Sequence, residues 1–213
     1  MTMHTPKVHT AVRRRQIADA LLALMADEGV ARISTAAVAR RLGLVASALY
    51  RHFPSKDAML DAAVDRLAGR LAEQARRARA VPGGPVRKLE FLLGAHAAHM
   101  GENQAIPHLL FSEELEHGPA RRRKHLHSHL QRYIGAIEKI IAAAPRRGNP
   151  AADPRTLSIM FIGLVQSAGI YWRLSGGTFD VAGYLRKAWQ AFSHLLSEDK
   201  SAAGSKSAAR KPT

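Results

Sequence analysis

The chain has 213 residues, enough for a small domain joined to a larger one, and 46% of them are hydrophobic, so a sizeable core is available. A net charge of +15 and a pI near 11.0 call for a polyanionic partner, either nucleic acid or an acidic membrane surface. The absence of cysteine excludes disulfides, thiolate ligands and thiol redox sensing, and it fits a reducing cytosol.

Residues 1–11 read as a disordered arm, polar and without the apolar core of a signal peptide. Arg13, Arg14 and Arg15 open the first helix. Cations at that end oppose the macrodipole, by about a few tenths of a kcal/mol each, unless a phosphate backbone lies nearby. A solvated basic end and a DNA contact both fit. The helix continues through Ile17, Leu21, Leu24 and Met25 and ends at Gly29.

Ser34 caps a second, short helix that runs to about Leu42, with Val38, Ala39 and Leu42 on one side. Gly43 supplies the positive φ of a tight turn. A third helix runs from about Val45 to His52 and turns Leu49 and Phe53 inward; Pro54 stops it and Ser55 caps the next. Two short helices about such a turn form a helix-turn-helix, whose second helix enters a DNA major groove. The face that would meet bases is Val45, Ala46, Ser47 and Ala48. These side chains offer one hydroxyl and no bidentate group, so thymine methyl contacts and DNA shape are expected to carry much of the specificity. Val45 cannot cap its helix through its side chain.

After Ser55 a long helix keeps its period through Met59, Leu60, Ala63, Leu67 and Leu71 to about Ala80, where Val81-Pro82-Gly83-Gly84-Pro85 breaks it. Such a helix links the DNA-binding unit to whatever follows. Val86, Leu89, Leu93, His96 and Met100 mark the next stripe, and Ile106-Pro107 opens a shorter segment with Leu109, Leu110, Phe111 and Leu115. Gly118-Pro119 opens a long helix with Leu126, Leu130, Ile134, Ile137 and Ile141, ending near Pro145-Arg146-Arg147-Gly148. Asp153-Pro154 starts another, closed by Gly176-Gly177, and Asp180 caps the last, with Val181, Tyr184, Leu185, Trp189, Phe192 and Leu196. No strand period and no repeat is present. Residues 197–213 read as a disordered basic tail.

The helix from Asp153 to about Leu174 is apolar on almost all sides. Leu157, Met160, Phe161, Leu164 and Tyr171 form one stripe, and Ile159, Ile162 and Ile170 another. A helix apolar all round is buried all round, and a second subunit is the natural cover. Tyr184, Trp189 and Phe192 are large anchors of the interface kind, although Trp189 and Phe192 equally fit an ordinary core. The run from Leu157 to Trp172, interrupted by Ser158, Gln166 and Ser167, falls short of the roughly 20 residues that span a bilayer.

Residues 13–66 resemble the DNA-binding domain of the TetR family of bacterial transcriptional regulators. The matching positions are Ile17, Ala20, Gly29, Ser34, Val38, Ala39 and Gly43. The most specific run follows them, Leu49-Tyr50-Arg51-His52-Phe53-Pro54-Ser55-Lys56. The sequence departs from the family at Val45 and Ser47, where Ser and Gly are usual. The resemblance implies that Tyr50, His52 and Lys56 hold the phosphate backbone. It also implies a homodimer paired through the two C-terminal helices, Asp153–Leu174 and Asp180–Leu196, in a four-helix bundle. The residues themselves support Lys56, a cation at a helix N-terminus whose free N–H groups attract anions, with Asp57 as a partial offset. Tyr50 equally fits a core aromatic. Ser34, Thr35, Arg40, Val45, Ala46, Ser47 and Arg51 complete the candidate DNA-binding set.

The resemblance further implies a small-molecule pocket in the C-terminal helical domain. Candidate lining residues are Phe91, His96, Met100, Phe111, Leu130, Tyr133, Ile134, Phe161, Leu164 and Trp172, each of which equally fits ordinary core. His96 and His99, and His125 and His129, have spacings that place two ligands on one helix face. No third ligand stands near them in sequence, so a basic face is expected and no metal or cofactor. Glu113, Glu114 and Glu116 read as a solvated face. No nucleophile–base pair or phosphate loop marks an enzyme.

The expectation is therefore an all-α protein. A three-helix DNA-binding domain (12–66) is joined by a long helix to a larger effector-binding and dimerisation domain (67–196). Its function is that of a cytoplasmic, ligand-responsive regulator. It would bind a double-stranded, near-palindromic operator as a repressor, released by a small apolar or amphipathic effector, with no membrane partner. The alternative is an architectural DNA-binding protein, or an activator, without an effector.

Overall fold

The computed structural model describes residues 10–29, 33–98, 112–144 and 153–196, apart from the side chain of Glu114. In chain order the helices are α1 (Thr10–Glu28), α2 (Thr35–Arg41), α3 (Ala46–Tyr50), α4 (Lys56–Ala80), α5 (Pro85–Ala98), α6 (Glu113–Glu116), α7 (Ala120–Ala142), α8 (Pro154–Leu174) and α9 (Val181–His194). The fold is all-α, and no strand occurs among the described residues. Met100, Phe111, His99 and the basic tail lie outside them.

The helices form two compact units. The first combines Met1–Glu73 with Ala98–Tyr133, and the second combines Gln74–Ala97 with Ile134–Thr213. In the first unit Ile17, Leu21, Leu24 and Met25 of α1 meet Val38 and Ala39 of α2, Leu49 of α3 and Phe53. Met59, Leu60, Ala63, Val64 and Leu67 of α4 close this core, and Leu126 of α7 packs at its edge. The apolar spacing of α1 and α4 thus becomes one shared interior. Asp19 on α1 accepts from Arg66 at 2.9 Å and Arg70 at 2.6 Å, which holds α1 against α4 in register.

The helix ends follow local chemistry. Ser34 Oγ accepts from the Ala37 amide and Ser55 Oγ from the Ala58 amide, both at 3.1 Å. Gly29 (φ 79°) leaves α1 and Gly43 (φ 65°) makes the α2–α3 turn, in conformations a side chain disfavours. Val45 sits at the N-cap of α3 with extended backbone and no side-chain bond. The recognition helix therefore begins uncapped, as the sequence implies.

In the second unit α8 packs on α9. Phe161 meets Trp189 and Phe192 at ring-centroid distances of 6.4 and 5.9 Å, and Leu157 and Leu185 are buried. The Ser167 and Tyr184 hydroxyls lie 2.7 Å apart. Asp153 accepts from the Arg155 and Thr156 amides at the start of α8, and Asp180 accepts from the Gly183 amide at the start of α9.

Of the two readings open for Trp189 and Phe192, the structure takes the core one: both are buried within the chain beside Phe161, their rings stacked on each other. One expectation changes: the apolar stretch is not too short for a bilayer. α8 extends past the apolar run at both ends to 21 residues and holds an 18-residue stretch of mean hydropathy 1.3, so by length and composition it suffices to cross one. Its expected burial on all sides is met on one face only. Ile159, Met160, Ile170, Tyr171 and Leu174 are 41–78% exposed on the single chain.

Candidate nucleic-acid interface

α3 is a five-residue helix anchored by one buried side chain, Leu49, with Phe53 buried just beyond it. Ala46 packs partly against the same core, and Val45, Ser47 and Tyr50 face outward. Val45 is 69% exposed and Tyr50 50% exposed, Ser47 is exposed, and Ala46 and Ala48 are half-buried. The outward side of α3 is thus shallow, with methyl groups, one hydroxyl and one phenol ring. Tyr50 is not a core aromatic.

Basic groups frame this face. Arg40 and Arg51 are exposed, and neither has an ion pair among the described residues. Arg41, beside Arg40, is 3.0 Å from Asp27 and is therefore partly neutralised. The Arg14 guanidinium lies 4.7 Å from the centroid of the Phe53 ring, a cation–π contact that ties the start of α1 to the end of the recognition element. Lys56 is the first residue of α4 and is half-buried. Ser34 uses its oxygen for the cap, which leaves its hydroxyl hydrogen available to a phosphate, and Thr35 follows it half-buried. His52 is half-buried, and its Nδ1 is buried without a hydrogen-bond partner among the described residues. All ten candidate DNA-binding residues belong to the first unit.

The ligand-lining candidates are divided between the units. Phe91, His96, Ile134, Phe161, Leu164 and Trp172 belong to the second, and Leu130 and Tyr133 to the first. His96, Tyr133, Ile134 and Phe161 are buried, Leu164 and Trp172 are half-buried, and Phe91 and Leu130 are 37% and 40% exposed. Burial pushes the Tyr133 phenol above its ordinary ionisation range, so it stays neutral.

Sequence reasoning missed a polar ladder between α4 and α7. Asp57, Asp61 and Asp65 recur every four residues along α4 and so share a face. Arg122, only 1% exposed, donates through Nη2 to Asp57 and through Nε to Asp61 at 3.0 Å. Its burial disfavours the charge, but hydrogen bonds and charge from the two aspartates outweigh that and raise its pKa, so it remains a cation. One turn further along α7, His125 and His129 meet Asp65. The i, i+4, i+8 aspartate spacing was the available signal, although nothing in the sequence names its partner.

Residues 17–63 match the family described as bacterial regulatory proteins, tetR family. The nucleoid occlusion factor SlmA of Aliivibrio fischeri (strain MJ11) is 26% identical over 159 residues, which are 73% of this chain and 81% of that protein. The HTH-type transcriptional repressor KstR of Mycolicibacterium smegmatis is 37% identical over 94 residues, 44% of this chain and 46% of that protein. In fold, the chain is similar to the transcriptional regulator FadR of Bacillus subtilis in complex with stearoyl-CoA. That likeness has a TM-score of 0.67 at 15% identity, over 85% of this chain and 98% of that one. A helix-turn-helix with an exposed outer face, the matching N-terminal segment and this all-helical fold agree: residues 17–63 carry the DNA-binding segment of the tetR family of bacterial regulatory proteins.

Proposed function

We propose that this DNA-binding regulator is a cytoplasmic, non-enzymatic repressor that binds a near-palindromic operator as a homodimer and leaves it when a small apolar or amphipathic effector binds. Residues 12–66 grip DNA in this reading, and residues 67–196 pair and take the effector. The observation that carries it is the recognition element, whose outward side is a shallow apolar face flanked by the exposed Arg40, Tyr50 and Arg51. Basic groups beside such a face supply phosphate affinity, and the face itself reads methyl groups and groove shape. The exposed apolar side of α8 supports a second copy as its cover, with α9 completing the bundle. Two recognition helices related by a two-fold axis would then reach major grooves about 34 Å apart.

The repressor sense is supported by the likeness to KstR, and an amphipathic effector by the likeness to FadR with its stearoyl-CoA. Two observations favour a second reading, DNA binding without an effector. The reading face lacks any side chain that makes bidentate base contacts, and the SlmA relative, a nucleoid occlusion factor, aligns over 73% of the chain.

Fluorescence-anisotropy titrations across salt separate these readings, using DNA that flanks the chain's own coding region against a scrambled duplex. The proposal expects a preference of at least about 10³ for one flanking segment, the lower end for specific binders. It also expects loss of that binding when stearoyl-CoA or a comparable amphiphile is added. Equal affinity for both duplexes, with parallel salt slopes, would refute it in favour of the second reading.

A further inference from the structure

We propose that Asp65 of α4 and His125 and His129 of α7 form a binding site for a divalent transition metal of the zinc and cobalt class. Asp65 Oδ1 lies 2.7 Å from His125 Nε2 and 2.9 Å from His129 Nε2, and the two nitrogens are 3.2 Å apart. Three donor atoms from two helices therefore converge on one point. A tetrahedral ion with bonds of about 2.0–2.1 Å sets its donors roughly 3.3 Å apart, so the trio must open by only about 0.1–0.6 Å.

The donor chemistry selects the ion. Two imidazoles and a carboxylate suit zinc and cobalt, whereas magnesium and calcium prefer oxygen alone. Three protein ligands leave at least one coordination position to water or another small ligand. The site is reachable from solvent, with Asp65 56% and His125 40% exposed, while His129 is 15% exposed and held in place. It is also pre-positioned. The histidines share one face of α7, their rings meeting edge-on at 4.4 Å. One turn away, Arg122 already fastens α7 to Asp57 and Asp61 of α4. Loading the site thus needs little further ordering of the helices.

Arg132 opposes the ion. Its Nη2 is 2.6 Å from His129 Nδ1. A guanidinium only donates, so Nδ1 accepts and the ring proton sits on Nε2, directed at Asp65. Ligation through Nε2 moves that proton to Nδ1, where Arg132 has nothing to receive it. The exposed Arg132 side chain must therefore turn away as the metal binds. Glutamine at this position removes the cation and supplies a carbonyl that can accept from Nδ1–H, the partner that ligating imidazoles ordinarily have.

The test is a Co²⁺ titration of the chelator-treated, full-length protein, read by the visible absorption of tetrahedral cobalt and checked by Zn²⁺ displacement. The expected result is about one ion per chain, lost by at least roughly tenfold in His125→Ala, His129→Ala and Asp65→Asn and unchanged in His127→Ala. Arg132→Gln should bind several-fold more tightly, a gain that misfolding cannot produce. Wild-type binding that survives the double His125→Ala, His129→Ala substitution overturns the proposal, as does its failure to show a tetrahedral cobalt spectrum. No DNA enters the assay, so its failure leaves the repressor reading untouched.

Discussion

Replacing Arg122 by alanine removes a guanidinium that is 1% exposed and that joins two aspartates of α4 to α7. Deleting one partner of a buried ion pair costs about 3–5 kcal/mol, because the remaining charge loses its counter-ion in a poorly solvated place. Asp57 and Asp61 keep 48% and 28% of their side-chain exposure, so water takes over part of the lost interaction. The lower end, roughly 3 kcal/mol, is the expected figure. In a chain of this size each kcal/mol moves the melting temperature by about 2–4 °C, giving a drop of roughly 6–12 °C. Arg121 is the control: it is 68% exposed and 3.5 Å from Asp61, so its removal should cost under about 0.5 kcal/mol. Urea unfolding followed by helical circular dichroism measures both, with midpoints compared at constant slope. If Arg122→Ala stays within about 0.5 kcal/mol of the parent, or Arg121→Ala matches it, the buried-ladder argument fails.

Ser34→Ala removes the bond to the Ala37 amide and should cost about 1 kcal/mol by the same unfolding assay. Val45→Ser is the reverse experiment. The position has N-cap geometry, no cap bond and 69% exposure, so a serine should add roughly 0.5–1 kcal/mol. Asp153 is held below the ordinary carboxylate range chiefly by the Thr156 hydroxyl, aided by backbone amides. A lowered folded-state pKa means its contribution is complete above the unfolded value and disappears as pH falls through the folded one. Protection from amide exchange at the start of α8, taken relative to the intrinsic rate at each pH, should therefore fall only in that acidic window, and Asp153→Asn should abolish the dependence. Replacing Ile159 and Tyr171 by aspartate puts charge on the exposed apolar face of α8. Sedimentation at micromolar concentration should show the parent as a dimer and the variant as a monomer, and an unchanged dimer would place the interface elsewhere.

Much of the fold was legible because it is written in local chemistry. Caps at Ser34, Ser55, Asp153 and Asp180, glycines at 29, 43, 176 and 177, and a 3.6-residue apolar period each act within a few residues of the chain. These features set where helices begin, stop and turn, and they locate the recognition element and its uncapped start at Val45. The facing of individual residues was less legible. Tyr50 and Trp189 are both aromatics on helices, yet one is half exposed and the other is buried against Phe161. Periodicity gives a stripe but not which neighbour covers it.

The sequence alone determined a basic, all-helical chain with a helix-turn-helix whose second helix presents small, mostly apolar side chains. Tertiary structure decided which residues meet across long separations. Arg122 and Asp57 are 65 residues apart, and His129 and Asp65 are 64 apart, so no local pattern joins them. An arginine in a basic run reads as solvated until a folded partner helix buries it, and two histidines read as a pair until a third donor arrives. Both outcomes depend on the core of the first unit, built on α4 and met by Leu126 of α7, which is why charge and spacing on either helix alone left them open.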